Sequence, residues 1–546
     1  MISSGIDGLD GSDYEVVVVG AGPLGISLSL ELARSGVKVL LLESGGDQPS
    51  PERQELSRGT IVDPRVHDEL EITGSRRLGG ASNLWGARCQ PFDPIDFHDR
   101  SDVLGVSWPV SHDEIAPYFP RAAVYANCGE AIFRAPQPEL DAADSEVDAT
   151  RMERFSARPA FQKAHAEELS STASLTVRLE VTVSEIAHEE GRVTALTLND
   201  KQGRMLQLPV KRAVLAMGGL ETTRLLLATQ AKEPALFGGS DGPLGRFYMA
   251  HVIGEVADVV WKSKSVDEAY DFFLDGRGSY ARRRMIPSDA AILDKRLPNV
   301  SFWPVVPPVA DARHRSAILS MVFLSFAFKP LGGFLVAEAI RRYHAPSGTP
   351  KWPHIWNVVR GLPSAVIYAG QFLKKRYLDA VRIPGFFVRS PAMVYGLSYH
   401  AEHFPSRESR VSLNDERDIY GLPRLTVDLK FSTADAEALV RAHEHLDAWL
   451  KRNQLGEIRY RQDLSRTAQA ILDAATHGNH QIGLARMGSN AQEAVVDSNL
   501  ETFSVRGLYL ATVAVFPTSS QANPTFTGVA FSIRLAEHLK EKISES

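Results

Sequence analysis

Cysteine is nearly absent: 546 residues hold two, Cys89 and Cys128. Two thiols make no disulfide framework and suit a reducing compartment, so a cytoplasmic protein is expected. No run of about 18 uncharged apolar residues occurs, which leaves no stretch able to span a bilayer as a helix. Residues 1–13 are acidic and polar, without the basic and apolar regions of a secretory signal and without twin arginines. The net charge of −6 gives no reason to expect nucleic acid. No metal-ligand spacing and no G-x-S-x-G occurs, and Cys89 has no partner Cys or obvious base in the sequence, so no metal site is expected. Internal repeats and low-complexity tracts are lacking too. What is present is ordinary for a globular chain, 44% apolar and 23% charged, and long enough for more than one core.

Residues 14–43 read YEVVVVGAGPLGISLSLELARSGVKVLLLE. Val16 to Val19 form a β-branched run suited to a buried parallel strand. Ile26 to Ser35 reads as a helix ending at Gly36, and Val37 to Leu42 as a second buried strand that closes at Glu43. Gly20, Gly22 and Gly25 make G-x-G-x-x-G between the first strand and the helix. That spacing permits a tight turn, close approach of a pyrophosphate and close helix–strand packing, while the acid at the second strand's end can accept from a ribose hydroxyl. Glu43 disfavours a 2′-phosphate, so FAD or NAD is preferred to NADP. The plainer alternative is a buried βαβ unit with a glycine turn.

Residues 74–97, GSRRLGGASNLWGARCQPFDPIDF, are dense in glycine and lack periodicity. Such a loop can wrap a planar ring, with Asn83 and backbone N–H groups at its edge, or it can be a surface turn anchored by Trp85. Near the other end, 477–527 carries His480 and, 43 residues later, Asn523, both in Gly- and Pro-rich turns beside short apolar runs. A His–Asn pair can manage the proton and the oxygen of an alcohol while another group takes a hydride. Both residues could instead be structural, satisfied by backbone groups or by a turn.

These three stretches together resemble the glucose–methanol–choline (GMC) family of FAD-dependent oxidoreductases, and within it the pyranose-oxidase-like sugar and glycoside oxidoreductases. Further similar segments are GVSWPV at 105–110 followed by Tyr118, LTVRLEVTVSEI at 175–186, AVLAMGGLETTRLLL at 213–227, GRFYMAH at 245–251 and EHFPSRESRVSL at 402–413. About 255–395 is not covered. The resemblance implies a doubly wound, Rossmann-like three-layer α/β FAD domain assembled from 1–105, 155–255 and 470–546. It also implies an α+β substrate domain from 106–154 and 256–469, with an antiparallel sheet under helices. The i, i+3, i+4 stripe of a helix at 434–453 fits the second part.

By the same resemblance, FAD contacts come from Gly20, Gly22, Pro23, Leu24, Gly25, Glu43 and Ser44 at the first turn. Arg77, Gly80, Ala81, Asn83, Leu84 and Trp85 supply them from the loop, and Val181, Met217 and Gly218 from the middle. Thr512, Val513, Asn523, Pro524 and Thr525 supply them from the end. His480 maps to the family's base, and Asn523 to the residue that orients the alcohol oxygen. Some members bond the flavin covalently through a His in T-H-W or N-H-W. Here Leu84 fills that place, so non-covalent FAD is expected. Thr512 replaces an Asp near the flavin phosphates, and Leu484 replaces a Thr, which would make that edge of the site more apolar. His477 is an extra loop residue that could touch substrate.

Residues 313–389 differ from the rest. They hold twelve Lys/Arg and two acids, Glu338 and Asp379, interleaved with apolar stretches too short to span a bilayer. Three readings stand open: a helical insertion with a basic face in water, a peripheral contact with an anionic membrane such as the inner membrane surface, or a docking or homo-oligomer contact. The expected activity is oxidation of a secondary alcohol of a sugar or glycoside, with reoxidation by oxygen or a quinone. The alternatives are an apolar alcohol, such as a sterol, a long-chain alcohol or a lipid-linked sugar, and a non-catalytic flavoprotein.

Overall fold

The computed structural model describes residues 2–336, 338–476 and 478–545, without the side chains of residues 334, 339, 340 and 343. A six-stranded parallel sheet runs in the order Ile2–Ser4, Leu175–Leu179, Val39–Leu42, Val16–Val19, Ala213–Leu215, Leu508–Leu510. Val16–Val19 and Val39–Leu42 are wholly buried, as apolar strands covered on both faces must be. The helices Pro23–Arg34 and Pro524–Ser544 pack against each other beside this sheet. The second buries Phe526, Val529, Phe531, Ile533, Leu535 and Leu539, each contributing about 1.5–3 kcal/mol. First and last segments of the chain are thereby locked together.

An antiparallel three-stranded sheet, Val181–Glu189, Arg192–Asp200 and Met205–Pro209, bridges two parallel strands. The 175–186 stretch is therefore split between two sheets, turning at Glu180, whose φ is +59°.

The second large sheet is antiparallel. Its order is Gly456–Tyr460, His251–Trp261, Val394–Glu402, Val300–Val305, Tyr280–Pro287, Val147–Phe155, Arg88–Cys89, with Phe273–Leu274 paired to Tyr280–Pro287. The helix Thr433–Arg452 covers it with Ala436, Leu439, Ala442, Leu446, Trp449 and Leu450. Ser432 caps that helix by accepting from the Asp435 N–H, and Asp435 accepts in return from the Ser432 N–H. A doubly wound α/β unit and an α+β unit with an antiparallel sheet are thus both present. Sheet membership cuts across the expected segment ends at two places: Arg88–Cys89 and the start of His251–Trp261 both belong to the antiparallel sheet. Cys89 and Cys128, remote in sequence, are neighbours in the core, and burial followed by that contact pushes the Cys89 thiol well up. Within 313–389 lie short helices: Ala317–Ala327, Lys329–Leu335, Glu338–His344, Trp352–Arg360 and Leu362–Leu373.

Candidate active site

The carboxyl ends of the parallel strands open into a cavity of about 1520 Å³, counting its open mouth. Ligands in open α/β sheets bind at this edge. The first turn is set by close packing. Gly20 has φ +106°, and a Cβ there would lie 2.6 Å from the Ala216 carbonyl oxygen. A Cβ on Gly25 would lie 1.9 Å from the Gly20 oxygen. Gly22 caps the helix Pro23–Arg34 without a side chain, leaving first-turn N–H groups beside the cavity. Glu43 accepts from the Ala21 N–H at 3.0 Å and the Gly45 N–H at 2.9 Å. Burial pushes this carboxyl up, and those two N–H donors offset part of the rise.

Most of the expected contact residues meet on this one wall. Gly20, Gly22, Pro23, Leu24, Glu43, Ser44, Gly80, Ala81, Val181, Met217, Gly218, Thr512, Val513, Pro524 and Thr525 line the cavity, with His480. Gly25 lies beneath it, as the packing glycine.

Besides Gly25, five expected residues are not in the wall. Arg77 turns to Ser75, and Arg76 lines the cavity in its place. Arg76 pairs with Glu221 at 2.7 Å, and burial of Glu221 is outweighed by Arg76 and Arg224, so that carboxyl stays below its usual range. Asn83 closes its own loop, donating to the Leu78 and Gly80 carbonyls and accepting from Gln162. Trp85 donates to the Pro159 carbonyl and packs edge-on against Phe161, so it anchors the loop. Leu84 ends the same short turn. Asn523 does not reach the phosphate end and instead contacts His480. One further expectation changes. Leu484 is fully buried in the core, not at the cavity edge, in a turn whose carbonyl accepts from the Gly245 N–H. The Thr512 hydroxyl accepts from the Ala514 N–H and so caps the turn Val513–Val515. His477 lies outside the described residues.

At the opposite end from Glu43, four polar groups join. The His251 Nε2 lies 3.1 Å from the Ser519 carbonyl oxygen. A carbonyl only accepts, so Nε2 carries the proton and His251 Nδ1 is the acceptor in the neutral ring. The His480 Nδ1 lies 2.8 Å from that Nδ1 and donates to it. The lone pair of His480 is then on Nε2, where the Asn523 side-chain amide donates at 3.2 Å. His400 donates from Nδ1 to the Gln521 carbonyl at 2.6 Å and stacks on His251 at 4.1 Å between centroids. Nitrogens of His251, His400 and His480 all fall within 4.8 Å, close enough to suggest a metal cluster. The 2.8 Å approach of two of them is a hydrogen-bond distance. Two ligands of one tetrahedral zinc, at about 2.0–2.1 Å each, sit well over 3 Å apart.

Sequence reasoning missed His251, His400, Arg76 and Glu221. His251 ends the GRFYMAH segment already noted for its likeness to the family, which was the available signal. His400 is brought beside it only by pairing of the strands His251–Trp261 and Val394–Glu402.

A family model for the GMC oxidoreductase C-terminal region matches residues 405–532, and one for an FAD binding domain matches residues 13–78. Two separate stretches of the chain are thus similar to GMC oxidoreductases and to FAD-binding domains. The chain is 26% identical over 316 residues to 2-methyl-1,2-propanediol dehydrogenase of Mycolicibacterium austroafricanum, covering 46% of the chain and 57% of that relative. It is 28% identical over 158 residues to C-glycoside 3-oxidase of Arthrobacter globiformis, covering 29% of each. The matched part thus spans little more than half of the first relative and less of the second. Its fold follows that of a solved fungal aryl-alcohol oxidase over 98% of the chain and all of that structure, at TM-score 0.55 and 13% identity. FAD is the cofactor of this fold, and the wall fits it: the glycine cradle around Gly22 and Gly80 leaves room that side chains would fill, and Glu43 closes one end.

Proposed function

We propose that this protein oxidises a secondary alcohol of a sugar or glycoside to a ketone, with His480 as general base and Asn523 orienting the hydroxyl. The observation that carries the proposal is the ordered chain from the Ser519 carbonyl through His251 and His480 to Asn523, which leaves a basic nitrogen at the cavity wall. Bound FAD supplies the hydride acceptor that alcohol oxidation requires. His480 takes the hydroxyl proton at Nε2, a task that suits an imidazole with an unperturbed pKa of about 6.5. The Asn523 amide donates to the developing alkoxide oxygen without competing as a base. The helix Pro524–Ser544 begins at this point, and its N-terminal dipole favours the same negative charge. His251 holds His480 in the tautomer the reaction needs.

The relatives named for a diol and for a C-glycoside support a hydroxylated substrate. The electron acceptor is oxygen or a quinone. Anaerobic mixing with a panel of sugars, glycosides and simple alcohols tests the proposal. A sugar or glycoside should bleach the flavin, and reoxidation by oxygen against a quinone then separates oxidase from dehydrogenase. Failure of every alcohol to bleach it would favour the non-catalytic alternative.

A further inference from the structure

Within the basic segment the helix Ala317–Ala327 buries Leu319, Phe323 and Phe326, but in the helix Trp352–Arg360 polar residues point inward and apolar ones outward. The helix Trp352–Arg360 buries His354 and Asn357. His354 contacts the Ser320 hydroxyl at 3.1 Å and the Ala310 carbonyl at 3.2 Å, and Asn357 donates to the Ala312 carbonyl at 2.9 Å. The opposite face carries Trp352, Ile355, Trp356 and Val359 at i, i+3, i+4 and i+7, with Trp352 72% and Val359 60% exposed. The next helix, Leu362–Leu373, buries only Ala365 among its described residues. Its Val366 and Ile367 are 60% and 62% exposed, and beyond it Leu378 is 80% exposed. Among the described residues, over half of the exposed large apolar side chains fall between Phe328 and Leu378. A contiguous exposed apolar face of this kind marks a docking surface.

Charge identifies the partner. From Lys351 to Leu378 there are five basic residues, Lys351, Arg360, Lys374, Lys375 and Arg376, and no acid. They flank the apolar face at both ends. Cores of protein interfaces are depleted in Lys. Helices that lie in a membrane surface show this combination instead, with Trp and aliphatic residues on one side and Lys and Arg at the margins. We propose that the face formed by the helices Trp352–Arg360 and Leu362–Leu373 docks on an anionic lipid surface, lying in the headgroup layer. No described helix is long and apolar enough to cross a membrane, so the contact is peripheral. The same segment touches the cavity's rim: Arg342 approaches Glu69 at 3.5 Å, beside the short helix Leu70–Thr73, whose Leu70 and Thr73 line the cavity. Docking would therefore hold the site near the lipid surface, whatever the substrate.

The test uses the full chain with FAD bound, sedimented with vesicles of phosphatidylcholine alone or mixed with phosphatidylglycerol. The protein should bind the mixed vesicles, with a blue shift of tryptophan emission, and added salt should weaken binding. The pairs Trp352→Ser with Trp356→Ser, and Lys374→Glu with Lys375→Glu, should each weaken it about tenfold or more. These side chains are exposed and do not line the cavity, so flavin content and turnover of a soluble substrate should not change. Absence of binding to either vesicle overturns the proposal. So does binding that ignores both lipid charge and the Lys substitutions, or self-association that the same substitutions abolish without any vesicle binding.

Discussion

His251 donates from Nε2 to a carbonyl that can only accept, and that constraint passes through two rings to fix the lone pair of His480 on Nε2. A replacement at 251 separates this role from mere packing. His251→Leu removes the acceptor for His480 Nδ1, so the base loses its tautomer bias and the turnover number should fall about 100-fold with an altered pH profile. His251→Gln has an oxygen to accept from His480 and an amide to donate to Ser519, so it should recover most of the rate and the wild-type profile. Both variants should keep FAD. A Leu variant with unchanged turnover and pH profile would remove His251 from the account. His480, Asn523, Glu43 and the three glycines were legible in the sequence because each sits in a local pattern with its own chemistry. His400 and Glu221 were not, because only strand pairing and the approach of Arg76 give them a partner. Arg77 was preferred to its neighbour because a loop without periodicity does not reveal which of two adjacent arginines faces inward.

Among the elements, the first βαβ turn was the most legible, since glycine spacing and buried β-branched runs report on backbone directly. The expected helix from Ile26 starts earlier, at Pro23, where proline suits the first helical turn. The packing at Gly25 makes a sharp prediction. In Gly25→Ala the new methyl would meet the Gly20 carbonyl at 1.9 Å, so the strand and helix must separate. Overpacking of this kind costs about 1–3 kcal/mol, and thermal unfolding should show a lowered midpoint with reduced flavin content. An Ala variant with wild-type midpoint and full flavin would show that the close approach is not required. The helix at 434–453 appears as Thr433–Arg452 because its apolar stripe faces one sheet throughout. The stretch 175–186 forms two strands in different sheets, a change that alternation does not reveal and that turns on the single residue Glu180. The basic segment forms the helices that one of its three readings expected, and the apolar stripe of Trp352–Arg360 faces outward.

Across the whole molecule, a buried polar network ties the segment from Asp93 to Arg100 and the antiparallel sheet to the loop that carries Asn523. Asp96 accepts from Asn299 at 2.9 Å and from the Asp93 N–H at 2.7 Å, and also from Ser520. Arg100 forms a two-pronged pair with Glu402 at 2.7 and 2.8 Å nearby. Burial, then the neighbouring Asp93 charge, pushes Asp96 up from 3.8 to about 7. Between about pH 4 and pH 7 the folded protein keeps a proton there that the unfolded chain has lost, so this group's contribution to stability falls as pH rises through that window. Asp96→Asn should therefore be flatter than wild type between pH 4.5 and pH 7.5 in denaturant unfolding, by up to about 4 kcal/mol. Parallel curves for the two proteins would contradict the assignment. This network was illegible in the sequence because its members come from four separated segments. At the same scale, the account depends on the two ends of the chain forming one site, FAD held by the first and the proton handled by the last. The most direct measurement is anaerobic stopped-flow reduction of bound flavin by a sugar or glycoside that bleaches the wild type, repeated with His480→Ala. The variant should purify with full FAD and lose bleaching by about 100-fold or more. A His480→Ala protein that bleaches at the wild-type rate would contradict the account.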